Sequence, residues 1–290
     1  MQAGYHFWNY TVPGAPDSLP TVLGDTARTA EQGGFAQFTV MDHWFQMEAA
    51  APATEPMLEA FTTLGYLAGQ TSSMRLGPLV AGVTYRYPAL LAKIVTTLDV
   101  LSSGRAMLGI GAAWYDREHH GLGVPYPSIS ERFERLEEAL QISLQMWSEN
   151  DGAYRGAHYS LDETLNSPRS IQRPHPPIMI GGKGEKKTLR MVAQYAQIVN
   201  LTTAEPAEVA RLLDVLRAHC DRLGTDYDAI EKTVISGSRD PYSTEFLGEM
   251  QQLADLGVTM VVLGRDPADS DPVGQVARIS EEVLPRLAQL

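Results

Sequence analysis

The chain has 290 residues, 44% hydrophobic and 20% charged, and its 35 acidic against 23 basic side chains give a formal net charge of −12. That acidity argues against a nucleic-acid or anionic-membrane partner, because polyanions are repelled, while a small anionic ligand needs only a local cluster of donors. The lone Cys220 rules out an internal disulfide, and no basic-then-apolar leader or run of about 20 apolar residues is present, so the expectation is a soluble, cytoplasmic protein.

Apolar runs of strand length alternate with amphipathic segments of helix length. Residues 5–8 are the first expected strand, followed by a helix near 21–33; 37–41 is the second, with a helix over about 56–70 opened by Glu55-Pro56. Strands at 75–80 and 106–111 feed helices at 88–101 and 130–147, the latter with Ser130 ahead of Glu131. Residues 151–176 are too long and turn-rich for a plain connection. Tyr154-Arg155-Gly156 and His158-Tyr159-Ser160-Leu161 read there as an inserted hairpin with a Pro-rich return. Strands at 177–180, 198–201, 232–236 and 260–263 follow, with helices near 188–194, 206–223, 244–256 and 273–287; Gly224 and Gly257 stop two of them. Eight strand–helix units in strict alternation predict one α/β domain over 1–290, a (β/α)8 TIM barrel with inserted loops and a short hairpin. The rival is a doubly wound open sheet.

Polar groups at the carboxyl end of a buried parallel strand are where α/β folds place their chemistry. Val40-Met41-Asp42-His43-Trp44-Phe45 runs off the second strand into an acid and an imidazole, and an imidazole titrates near neutrality. Gly82-Val83-Thr84 ends the third strand, and Gly82 permits backbone geometry that a side chain forbids. Gly109-Ile110-Gly111-Ala112-Ala113-Trp114 ends the fourth; Trp114 replaces the last glycine of GxGxxG, so a Rossmann site is unsupported, but the small residues let a flat ligand approach. Gly181-Gly182-Lys183-Gly184-Glu185-Lys186-Lys187 leads into a helix, where free amides and three lysines suit an anion; no Walker pattern is present. Glu118-His119-His120 lacks the spacing of a metal helix, so no metal is expected. Arg132, Glu134, Arg135, Glu137 and Glu138 read as a solvated helix face.

These motifs, with Thr84-Tyr85-Arg86-Tyr87-Pro88, Leu98-Asp99-Val100-Leu101-Ser102-Ser103-Gly104-Arg105 and Pro176-Pro177-Ile178-Met179-Ile180-Gly181-Gly182-Lys183-Gly184, resemble the luciferase-like monooxygenase superfamily. Within it the chain looks most like the coenzyme F420-dependent oxidoreductases. The resemblance implies a luciferase-like barrel that transfers a hydride between F420 and a small organic substrate. His43 would be the acid/base, oriented by Asp42, with both residues against the cofactor ring. It further implies cofactor contacts at Gly82, Val83, Thr84, Gly111 and Ala112, phosphate held by Gly181, Gly182, Lys183 and Gly184, and a non-proline cis peptide expected at Gly82–Val83. Trp8, Trp44 and Trp114 are expected to wall the substrate pocket. Sugar-phosphate and secondary-alcohol members often carry a glutamate just after the glycine pair; the matching place here is Trp114, with Asp116 and Glu118 nearby, so the resemblance alone does not assign their catalytic acid or substrates. A homodimer is expected by resemblance alone. Two alternatives stay open: an FMN-dependent monooxygenase using reduced flavin and oxygen, and a cofactor-free binding barrel.

Overall fold

A computed structural model describes residues 1–237 and 239–290. Its first half runs β1 (Gln2–Phe7), α1 (Leu19–Gly33), β2 (Gln37–Val40), α2 (Ala60–Ala68), β3 (Arg75–Pro78), β4 (Ala81–Gly82), α3 (Pro88–Leu101), β5 (Leu108–Gly111), α4 (Asp116–Leu122) and α5 (Ile129–Met146). The hairpin β6 (Tyr154–Arg155) and β7 (Ser160–Leu161) follows, then β8 (Ile178–Gly181), α6 (Thr188–Tyr195), β9 (Ile198–Leu201) and α7 (Pro206–Leu223). The chain finishes with β10 (Glu231–Ile235), α8 (Thr244–Asp255), β11 (Met260–Gly264), α9 (Pro272–Glu282) and α10 (Leu284–Leu287).

All main-sheet pairs are parallel, in the order β3-β2-β1-β11-β10-β9-β8-β5-β4. The two ends belong to one strand of the expected eight. β3 and β4 are its halves, parted at Leu79–Val80, which is a cis non-proline peptide. Leu76 closes the ring, its amide donating to the Arg105 carbonyl (2.8 Å) and its carbonyl accepting from the Met107 amide (2.9 Å). That closure gives the (β/α)8 barrel and excludes the open doubly wound sheet. The cis bond therefore lies at Leu79–Val80, not at Gly82–Val83. The side chain at the bend is Val80: a Cβ on Gly111 or Gly181 would stand 3.1 or 3.0 Å from its methyls, and one on Gly109 3.3 Å away.

Several boundaries move for local reasons. α2 starts at Ala60, four residues later than expected, because the Glu59 carboxylate caps the Thr62 amide. Ser128, not Ser130, caps α5 through the Glu131 amide. The last expected helix breaks at Val283, where Pro285 removes a donor and α10 restarts. α7 shows why the alternation was readable: Val209, Leu212, Leu213, Leu216 and Cys220 fall on one face and are buried, and Gly224 stops the helix at φ 70°. The hairpin is antiparallel as expected, and Glu138 of α5 holds it by accepting from the amides of Ala157, His158 and Tyr159. The solvated face of α5 is thus only partial: Arg132 is buried, donates to the Pro127 carbonyl (3.0 Å) and lies over the Tyr126 ring. No helix among the described residues is long and apolar enough to cross a membrane.

A small apolar cluster of Met107, Met179 and Ile198, with Leu79 and Val80 against it, is separate from the main core. Nearer the carboxyl ends lie polar pairs between neighbouring strands: His6 Nδ1 with Thr39 (2.9 Å) and Asn200 with Thr233 (2.9 Å). The Thr39 hydroxyl donates to the Tyr5 carbonyl, so His6 carries its proton on Nδ1. Burial lowers this imidazole from its ordinary 6.5 to about 4. Between those values the unfolded chain takes up a proton that the folded chain refuses, so stability falls as pH drops through the window. The expected loss below pH 4 is about 3 kcal/mol. His6→Gln should flatten this part of the profile, measured as urea midpoints at pH 7 and pH 4.5.

Candidate active site at the carboxyl rim

Because every barrel strand is parallel, every strand's carboxyl end opens on one rim. Trp8 follows β1, Asp42, His43 and Trp44 follow β2, and Thr84 follows β4. Ala112 and Trp114 follow β5, and the 182–187 loop follows β8. The rim thus gathers all the residues singled out in the sequence.

Their partners differ from expectation. Asp42 does not orient His43. It is buried and accepts a bidentate pair from Arg86 (2.7 and 2.9 Å) and a bond from the Gly82 amide (3.2 Å). Burial raises its carboxyl above the ordinary range against the pull of Arg86. Burial likewise opposes the charge on Arg86, but bonds to Asp42 and Glu59 hold that guanidinium more firmly protonated. Asp42 is therefore an anchor, tying the loop after β2 to that after β4.

The partner of His43 is Glu118, on the short helix α4. His43 Nδ1 lies 2.7 Å from Glu118 Oε1. The same carboxylate accepts from the Trp44 amide (2.7 Å), the Phe45 amide (3.3 Å) and the Tyr85 hydroxyl. Burial works to raise Glu118, but these bonds outweigh it and hold the carboxyl below its ordinary range. An ionised carboxylate only accepts, so Nδ1 carries the hydrogen. Nε2 has no partner among the described residues and is not sealed off. One imidazole nitrogen is thus fixed from behind and the other is free for a ligand.

His119, the next residue, points elsewhere. Its Nδ1 donates to the Tyr115 carbonyl (2.7 Å), so its Nε2 accepts from the Thr84 hydroxyl (2.6 Å). Burial lowers this imidazole and keeps it neutral. Thr84 consequently offers a ligand only an acceptor. Glu118 and His119 face different partners, and no group of three or more His, Cys, Asp or Glu that could hold a metal occurs among the described residues.

The aromatic side chains divide. Trp114 meets His43 edge-on at 5.4 Å and is 58% exposed. Trp44 stacks on Tyr85 at 5.2 Å. Trp8 is not in either group; its indole N–H donates to the Arg265 carbonyl (2.8 Å) beyond β11. The strand ends are tied by backbone and packed by one side chain: the Val83 amide donates to the Gly111 carbonyl (3.0 Å), and Val80 lies against Gly111 and Gly181.

In the loop after β8, the Gly182 amide is engaged with the Asn200 carbonyl (2.9 Å). The amides of residues 183–187 donate to nothing among the described residues. Gly182 has φ 130°, and a Cβ at Gly184 would lie 2.7 Å from the Thr188 hydroxyl oxygen, so both glycines are required for this shape. Lys183 pairs with Glu208 (3.0 Å) and Lys187 lies over Phe133, whereas Lys186 has no partner among the described residues. The loop thus presents unengaged amides, the geometry that suits an anion, more than it presents the expected lysines.

Sequence reasoning missed Glu118, Tyr85 and Arg86. Glu118 was legible as part of a poor metal motif and as an acid near Trp114, but not as the partner of His43, since nothing local shows that α4 folds back onto the loop after β2.

Comparison with known proteins agrees with the barrel fold. The luciferase-like monooxygenase family model matches residues 8–238. An F420-dependent glucose-6-phosphate dehydrogenase of Kineococcus radiotolerans is 31% identical over 279 residues, 93% of this chain and 78% of that one. An FMNH(2)-dependent dimethylsulfone monooxygenase of Pseudomonas putida is 32% identical, but over 95 residues, 33% of this chain and 26% of that one. The structure of the coenzyme F420 dependent tetrahydromethanopterin reductase of Methanopyrus kandleri superposes with a TM-score of 0.78 at 19% identity, covering 99% of each chain, which bears on the fold. With the family match spanning most of the barrel, the chain belongs to the luciferase-like monooxygenase family.

Proposed function

We propose that the protein is a coenzyme F420-dependent oxidoreductase acting on a small organic substrate. The observation that carries this reading is one rim holding both a cradle of unpaired amides at 183–187 and an imidazole whose far nitrogen is fixed by Glu118. The likeness to an F420-dependent relative over 93% of the chain supports it, since the likeness to an FMNH(2)-dependent one reaches only 33%.

The residues fit a flat phosphorylated ring system: the strand ends at Gly111 and Gly181 carry no side chain, and Val80 packs so closely on both that a Cβ on either would press on its methyls. When bound, the deazaflavin supplies the hydride-carrying carbon. The protein's share is positional. Residues 183–187 hold the phosphate, with Lys186 adding charge and Lys183 contributing through its backbone. The Asp42–Arg86 pair keeps the β2 and β4 loops in register around the ring. His43 holds or releases a proton at Nε2, and Glu118 fixes its tautomer. A homodimer accompanies the reading, supported by Tyr87, Leu90 and Leu101, which project exposed from one side of α3, with Leu165 and Ile171 exposed in the insertion.

Fluorescence titration of the purified protein with F420 and, separately, with FMN is the test. Saturable binding of F420 with little or none of FMN is expected. Tight FMN binding without F420 would instead identify the flavin monooxygenase, and binding of neither would leave a cofactor-free barrel.

A further inference from the structure

Resting on that reading and extending it to the substrate, we propose that this rim takes a planar, uncharged carbonyl compound seated on the Trp114 indole, and that it excludes sugar phosphates. The placement of Trp114 is the first ground. Ala113 adopts a left-handed φ of 59°, which turns the chain at the end of β5, and the Trp114 carbonyl is pinned by the Tyr126 hydroxyl at 2.9 Å. The indole is held 58% exposed beside the reactive imidazole, 5.4 Å from His43 and 5.3 Å from Tyr115. A large aromatic ring left open to water at this place offers a flat apolar face to whatever approaches Nε2. The following segment leaves Leu122 and Ile129 exposed as well.

Charge is the second ground. A phosphorylated substrate needs unengaged cations or amides near the imidazole, and those near it are occupied. Arg86 is bound to Asp42 and Glu59, and Arg117 to Glu48. The Trp44 and Phe45 amides are bound to Glu118. Asp116, exposed two residues past Trp114, adds a negative charge to the approach. The unpaired donors of 183–187 are those the cofactor phosphate takes. An anion beside Trp114 would therefore be desolvated without compensation, whereas a neutral unsaturated ketone loses little water and gains a stacking surface.

The test is equilibrium binding of two probes, trans-4-phenylbut-3-en-2-one and glucose 6-phosphate. Each is titrated into bare protein and into protein saturated with oxidised F420, followed by calorimetry. The ketone is expected to bind saturably, about tenfold more weakly in Trp114→Ala and nearly normally in Trp114→Phe, while glucose 6-phosphate does not saturate in the F420-loaded protein, where the 183–187 amides are taken. Trp114→Ala should retain its thermal midpoint and its F420 affinity, which separates lost stacking from a damaged site. Saturable glucose 6-phosphate binding to the F420-loaded protein, no ketone binding in either form, or ketone affinity unchanged in Trp114→Ala each overturns the proposal. A protein that binds the ketone but never F420 leaves this inference standing and defeats the cofactor assignment instead.

Discussion

Glu118→Gln is expected to lower kcat by about a hundredfold or more while F420 affinity stays near that of the unaltered protein. Glutamine keeps the volume and can still accept from His43 Nδ1, so the loop after β2 has no steric reason to move. What it removes is the negative charge 2.7 Å from the imidazole, which faces the positive charge that develops on the ring when Nε2 takes a proton. It also sets an amide NH2 against one of two donor pairs, His43 with the Tyr85 hydroxyl or the Trp44 amide with the Phe45 amide. Because the pair acts as a unit, His43→Gln with Glu118→Gln should lose little more than His43→Gln alone. Steady-state kinetics of the four proteins decide it. Losses that multiply in the double variant would show that Glu118 supports the fold and not the imidazole.

Gly109→Ala is expected to be the most damaging small change in the barrel. A Cβ there would stand 2.0 Å from the Pro78 carbonyl oxygen and 3.1 Å from its carbon, both backbone atoms of the neighbouring strand. No rotamer relieves that clash, so β3 and β5 must part at the point where the ring is closed. The cost is about 2–3 kcal/mol or more, read as a lower urea midpoint with an unchanged slope. Val80 lies 3.3 Å from the same added carbon, so F420 binding should weaken together with stability. An exposed control, Gly248→Ala, meets nothing within 4 Å and should be near neutral. Equal stability of the two variants would mean that the strands are not in close contact at this point.

The (β/α)8 alternation was legible because each unit carries its own period: continuous apolar strands such as β8 and β11, and one-sided helices such as α7. Landmarks at strand ends were legible for the same reason. Once Gln37–Val40 reads as a buried parallel strand, Asp42 and His43 must emerge at its carboxyl end, and likewise Gly182–Gly184 after β8. The break in the third strand was misplaced by three residues. Leu79-Val80 is as apolar as the strand it interrupts, so nothing in its pattern marks the bend.

The amino-acid sequence alone determined the layout: which residues form strands, which end each strand's chemistry sits at, and that imidazole, small-residue turn and glycine loop share a rim. Tertiary structure alone decided which of them touch. Asp42 is next to His43 in the chain yet bonds Arg86, 44 residues away, while Glu118 reaches His43 across 75. Side chains of adjacent residues diverge from the backbone in different directions, and a partner is set by where a distant loop folds back. Periodicity carries the first kind of information and holds none of the second.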